Sequence, residues 1–121
     1  MILIPARDEA HSIAQVITEA RRLYQAPIVV IDDGSQDDTA AIAAAAGARV
    51  LRLSLHLGAW GAMQTGLRYA YRQGWDLAIT LDADGQHDPA DIQALIAPLL
   101  AGEADVVIGA CPLRVSRARR L

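Results

Sequence analysis

Short apolar runs alternate with amphipathic stretches along this chain and predict an α/β domain, a mostly parallel sheet with helices on both faces. Two further observations support that class. Ile28, Val29, Val30 and Ile31 are all β-branched and apolar on both faces, as a central parallel strand requires. Two acidic clusters, Asp32 with Asp33 and Asp82 with Asp84, each follow an apolar run directly. Both are therefore expected at the carboxyl ends of strands, where open parallel sheets bind ligands.

The elements follow in order. Residues 1–4 read as a buried first strand stopped by Pro5. Ile13, Val16, Ile17 and Ala20 recur at helical spacing, extended by Leu23 and Tyr24, and predict an amphipathic helix over 9–25. The strand at 28–31 leads through the acidic loop into a helix over 38–46, closed by Gly47. Residues 49–53 alternate weakly and read as a peripheral strand. A longer helix is predicted over 58–73, with Trp60, Met63, Leu67, Ala70 and Tyr71 inward and Gly74 as its stop. A strand over 77–81, a helix over 89–101 kinked by Pro98, and a last strand over 105–109 complete the pattern.

At 121 residues the chain supports one domain with a modest core. It is 53% hydrophobic without a single phenylalanine, which favours close helix-on-sheet packing over aromatic clusters. A net charge of −3 argues against bulk nucleic-acid binding. Basic residues crowd only at the end, in Arg114, Arg117, Arg119 and Arg120, so residues 110–121 read as a divergent basic tail on a domain of 1–109. One cysteine, Cys111, excludes a disulfide framework and a zinc knuckle. No bilayer-length apolar run and no signal-peptide pattern is seen, and a cytoplasmic setting is expected.

Asp82 and Asp84 stand two residues apart at a strand end, so their side chains leave on the same side. Carboxylates that close repel unless one is protonated or a cation lies between them. A divalent ion whose shell is completed by water and substrate phosphates resolves the conflict. The alternative is a solvated acidic turn, with Asp88 and Pro89 as N-cap and first residue of the next helix. A calcium-binding EF-hand loop is excluded, because His87 and Gln93 stand where its glycine and glutamate belong. No G-x-x-x-x-G-K-[ST] and no G-x-G-x-x-G after the first strand is present. What remains is nucleotide held through metal and carboxylates rather than by a glycine loop.

Four segments, in order, carry a family resemblance. They are Ile4-Pro5-Ala6-Arg7-Asp8-Glu9; Val30-Ile31-Asp32-Asp33-Gly34-Ser35 with Asp38-Thr39; His56-Leu57-Gly58 through Thr65-Gly66; and Leu81-Asp82-Ala83-Asp84-Gly85-Gln86-His87-Asp88-Pro89. Together they resemble the nucleotide-sugar-binding half of a family 2 glycosyltransferase, near the polyprenyl- or dolichyl-phosphate sugar synthases. The resemblance implies the Rossmann-like GT-A fold of nucleotide-diphospho-sugar transferases, with only its N-terminal half represented. It implies that Pro5, Arg7 and Glu9 border the nucleotide, that Asp33 accepts from a base N–H, and that Asp82 and Ala83 lie by the ribose and diphosphate. Asp84 and Gln86 would ligate Mg2+ or Mn2+. The implied reaction moves the sugar of a UDP- or GDP-linked donor, with inversion, to a polyprenyl phosphate or glycan acceptor. A lipid acceptor would place the protein at the inner face of the membrane, in envelope synthesis.

Departures accompany the likeness. Arg7-Asp8 stands for the family's Tyr-Asn, Leu57 and Ala59 for basic residues, and Ala110-Cys111 for Ser-Arg, with Arg114 or Arg117 as substitutes for that arginine. No catalytic base is identified, since the family's lies in the following half. Several residues also have purely structural readings: Asp32 as a loop-orienting cap, Glu9 as a first-turn residue, Ser35 with Asp38 as a capping box, His87 as a solvated neighbour and Trp60 as core. The alternative function is an incomplete remnant that binds nucleotide or a partner, with a homo-oligomer or companion chain covering its open sheet edge. A receiver-like or flavodoxin-like domain would explain Asp32 and Asp33 but not the second acidic loop.

Overall fold

The computed structural model describes residues 1–110. The expected basic tail, with Cys111 and its four arginines, lies outside the described residues. Four strands form one parallel sheet in the order β3-β2-β1-β4: β1 Ile2–Ala6, β2 Ile28–Asp32, β3 Arg49–Arg52 and β4 Ile79–Thr80. Four α-helices connect and follow them: α1 Ile13–Leu23, α2 Thr39–Ala45, α3 Gly58–Arg72 and α4 Ile92–Leu100. A 3-10 turn, Pro89–Asp91, precedes α4.

β2 is buried along its whole length, which is why its sequence is apolar on both faces. Its even and odd residues feed two cores. Ile28 and Val30 pack with Ile2, Ile4, Ile13, Ile17, Ala43 and Ile92, under α1, α2 and the start of α4. Val29 and Ile31 pack with Leu3, Ala62 and Ala70, under α3. The sheet is thus covered on both faces.

β1 runs through Pro5 instead of stopping there. The reason lies in the parallel ladder. Leu3 O accepts from Leu81 N at 2.9 Å and Met1 O from Ile79 N at 3.0 Å, so odd residues of β1 face β4. Pro5 would be the next donor on that side and has no N–H. The ladder to β4 ends there, whereas Ala6 continues toward β2, its carbonyl accepting from Asp33 N at 2.9 Å. The same gap accounts for the end of β4 at Thr80; the strand spans Ile79–Thr80 rather than the five residues expected.

Two further expectations are corrected. Trp60, Leu67 and Tyr71 do not face the sheet; they are exposed, Trp60 by 70% and Tyr71 by 83%. The inward face of α3 is Ala62, Gly66 and Ala70. A Cβ on Gly66 would lie 2.8 Å from Ile31 Cδ1, so the helix backbone sits too close to β2 for larger side chains. Residues 105–109 form no strand, and Val106 and Ile108 are 75% and 87% exposed. A β-branched run becomes a strand only beside a partner, and among the described residues β4 has a neighbour only in β1.

The helix starts also differ from expectation. α1 begins at Ile13, after a turn in which Glu9 O accepts from Ser12 N and Ile13 N. Ser35 and Asp38 form no capping box, since Asp38 makes no side-chain cap bond and Ser35 Oγ accepts from Asp8 N at 2.9 Å. Asp88 does cap as expected, its carboxylate accepting from Ala90 N at 2.9 Å with Pro89 next in the turn.

Candidate functional site

The carboxyl ends of β2, β1 and β4 lie side by side, because those strands are adjacent and parallel. Three polar loops therefore share one rim: residues 7–12 after β1, 33–38 after β2 and 82–88 after β4. Asp33 and Asp82 stand on the same edge of the sheet.

The loops are stitched to one another. Asp8 adopts a left-handed backbone with φ of 53°, a conformation that Asp tolerates better than most residues. From there its Oδ1 accepts from Gln36 N at 2.8 Å, while Glu9 N donates to Thr39 Oγ1 at 2.9 Å. Ala10 N donates to Asp37 Oδ2 at 3.1 Å. Asp37 also accepts from the Thr39 hydroxyl, and that bond is the main reason its carboxyl is held below the usual carboxylate range. On the other flank the Ser12 hydroxyl shares one proton between Ala83 O at 2.7 Å and Glu9 Oε2 at 2.8 Å. Glu9 thus lies at the junction of the first and third loops, with His11 Nε2 3.7 Å from its Oε2.

The two adjacent aspartates divide their work. Asp32 is fully buried; Oδ1 accepts from Ser35 N at 3.0 Å and Oδ2 from Arg52 Nε at 3.2 Å. It orients the loop and anchors the edge strand β3. Asp33, 3% exposed, points into the start of α3. Its Oδ1 accepts from Leu57 N at 2.6 Å and its Oδ2 from Gly58 N at 2.8 Å. A carboxylate here satisfies two otherwise unpaired helix amides and complements the helix dipole. Three of its roughly four acceptor positions are used within the chain, the third by His56 Nδ1 at 2.7 Å.

His56 carries the link onward. Its Nδ1–H faces Asp33, so Nε2 is the acceptor, and Arg7 Nη1 donates to it at 2.8 Å. Arg7, His56 and Asp33 form one chain from the first loop through the start of α3 to the second. The sequence reading gave His56 no role. The available signal was its place at the head of the third motif segment, two residues before Gly58.

The third loop is the open one. Ala83 is buried in the core while Asp82 and Asp84 on either side are exposed, which turns both carboxylates outward together. Asp82 Oδ2 lies 3.3 Å from His87 Nδ1. Asp84 Oδ1 accepts from Gln86 N at 2.9 Å across a turn that Gly85 makes with φ of 76°. No arginine neutralises either carboxylate among the described residues. Nor do three His, Cys, Asp or Glu residues meet there as a closed metal cage requires. Exposed carboxylate and amide oxygens of this kind fit a hard divalent ion that keeps most of its shell for water and phosphate oxygens. Pro5 is half-buried in β1 behind the rim. A depression lined by Arg21, Tyr24, Pro27 and Gly47 lies at the other edge, where β2 begins, and bears none of these groups.

The family model described as Glycosyl transferase family 2 matches residues 1–119. An uncharacterized protein of Methanocaldococcus jannaschii is 37% identical over 108 residues, which are 89% of this chain and 44% of that protein. The UDP-N-acetylglucosamine–dolichyl-phosphate N-acetylglucosaminyltransferase of Methanococcus voltae is 31% identical, over 89% of this chain and 50% of its own length. Among solved structures, glucosyl-3-phosphoglycerate synthase from Mycobacterium tuberculosis, in complex with Mn2+, UDP-Glc and phosphoglyceric acid, is similar with a TM-score of 0.70. It is 29% identical and covers 84% of this chain and 39% of its own. The chain thus spans about half the length, or less, of the relatives it matches.

Proposed function

Because this chain belongs to glycosyl transferase family 2 and has a GT-A-like fold, we propose that its rim binds a nucleotide-diphosphate sugar together with Mg2+ or Mn2+, as the donor site of an inverting glycosyltransferase. The observation that carries the reading is the outward pair Asp82 and Asp84, unneutralised and on the same edge as Asp33. A rim so negative repels a bare diphosphate and accepts it with a divalent cation.

Asp84 and Gln86 would hold the metal, and Asp82 would lie beside the ribose and diphosphate. When bound, the ion supplies Lewis-acid stabilisation of the departing nucleoside diphosphate. The chain's own contribution is positioning. Asp33 holds α3 to the rim, with one acceptor position left for a base N–H. His56 fixes the Arg7 guanidinium, and Arg7 with Pro5 and Glu9 borders the nucleotide. The acceptor is proposed to be a polyprenyl phosphate or a glycan, the former by analogy with the dolichyl-phosphate enzyme of Methanococcus voltae. No helix among the described residues is long and apolar enough to cross a membrane.

Calorimetric titration with UDP, GDP and their sugars, with and without Mn2+, tests this. Metal-dependent binding of one nucleotide is expected, weakened at least tenfold in Asp84→Ala. Binding that ignores both the metal and that substitution would refute the site. A second reading is a module that binds nucleotide without transferring sugar. Release of nucleoside diphosphate in the presence of Mn2+ and candidate acceptors separates the two.

A further inference from the structure

One face of the molecule has no part in the rim. Of five aromatic residues, Trp60, Tyr69, Tyr71 and Trp75 lie in or just after α3, and only Tyr24 lies elsewhere. Trp60, Leu67 and Tyr71, seven and four residues apart, fall within about 40° of one another on a 3.6-residue helix. All three are exposed, by 70%, 41% and 83%. Trp75, 42% exposed, follows the helix. Arg68 and Arg72 are exposed beside this ridge, and with Leu67 and Tyr71 they line a surface depression.

Charge is as uneven as aromaticity. Residues 49–75 carry Arg49, Arg52, Arg68 and Arg72 and no aspartate or glutamate, in a chain of net charge −3. Arg52 is paired with Asp32, and Arg49 leans on Tyr69, bonding its hydroxyl at 2.7 Å. Arg68 and Arg72 make no ion pair among the described residues.

We propose that this outward face of α3 docks on an anionic lipid bilayer. Rings with polar tips, a leucine between them and arginines alongside are the mixture that settles at the headgroup level. The arginines attract acidic headgroups while their stems lie along the apolar ridge. A second copy of the chain fits less well, because a two-fold contact through this face would oppose its own arginines. Nucleic acid fits less well, because Arg68 and Arg72 flank an apolar ridge rather than forming the clustered basic stripe that follows a phosphate backbone. The proposal stands independently of the donor-site reading.

The test is co-sedimentation of the full 121-residue chain with vesicles of phosphatidylcholine, or of phosphatidylcholine and phosphatidylglycerol in equal parts. Binding is expected to the mixed vesicles and to fall with added salt. Arg68→Gln with Arg72→Gln is expected to weaken it roughly 25-fold, about fivefold for each charge. Trp60→Ala with Tyr71→Ala is expected to weaken it roughly a hundredfold, about tenfold for each ring withdrawn from the bilayer. Replacing Arg114, Arg117, Arg119 and Arg120 by glutamine should leave most of the binding in place. Trp75→Phe leaves Trp60 as the sole tryptophan, and its emission should shift to the blue and be quenched by brominated lipid, a readout that requires no loss-of-function variant. The proposal is overturned if mixed vesicles do not bind, if Trp60 emission is unmoved, or if binding is lost with the tail arginines and kept without Arg68 and Arg72. It is equally overturned if the helix substitutions dissociate a dimer, or if duplex DNA binds in place of vesicles.

Discussion

Asp33 shows how one carboxylate can tie the loop after β2 to the start of α3. It receives two backbone amides and an imidazole N–H, and it is buried. Asp33→Ala leaves the Leu57 and Gly58 amides without that acceptor. Unmade bonds at such a place cost about 1–3 kcal/mol. The urea midpoint of the variant should fall accordingly, and a midpoint equal to that of the parent would show that the link carries no weight. His56→Ala should cost less, since it removes a single donor and leaves the two amides paired with Asp33. Its effect belongs instead to Arg7, which loses its acceptor. Sequence alone marks Asp33 clearly, by its place after an all-β-branched strand. It does not reveal that the partners are 24 and 25 residues away, because a contact between two loops leaves no local period.

At the scale of elements, β2 and α1 were legible because each has one strong pattern, an all-apolar run in one case and a single stripe in the other. α3 was not, because it carries two stripes. Trp60, Leu67 and Tyr71 form the more hydrophobic one, and Ala62, Gly66 and Ala70 the one that meets the sheet. Hydrophobicity ranks the first higher, but proximity of backbones selects the second. Gly66→Ala tests that account. The added methyl would meet Ile31 Cδ1 at 2.8 Å and Leu3 Cδ1 at 3.3 Å. Overpacking of this kind costs about 1–3 kcal/mol even though alanine is the better helix former. Ile31→Val removes the atom most in the way, so the double variant should be more stable than the sum of the single losses predicts. Strict additivity in thermal or urea unfolding would show that α3 does not pack as described.

Across the whole molecule, stability should be graded along the sheet, and the grading follows from which strands have neighbours. β2 is paired over its length with β1 on one side and from Val29 to Asp32 with β3 on the other. β4 is paired with β1 over two residues, and Pro5 ends that ladder. Residues 105–109 belong to no ladder at all, although Val106, Val107 and Ile108 are β-branched like the residues of β2. The parallel order was legible from the alternation of elements. The missing strand was not, because a strand is defined by its partner and the sequence of one strand does not contain its partner. Amide exchange measures the gradient directly, since local opening free energies run from near zero at unpaired segments to the global value in the core. The amides of Val29, Val30 and Ile31 should exchange slowest, those of Ile79 and Leu81 distinctly faster, and those of Val106, Val107 and Ile108 at close to the rate of an unstructured peptide. Uniform protection from β2 through residue 108 would mean that the sheet continues past β4. The rim bearing Asp82 and Asp84 would then be bordered by a further strand rather than open on that side.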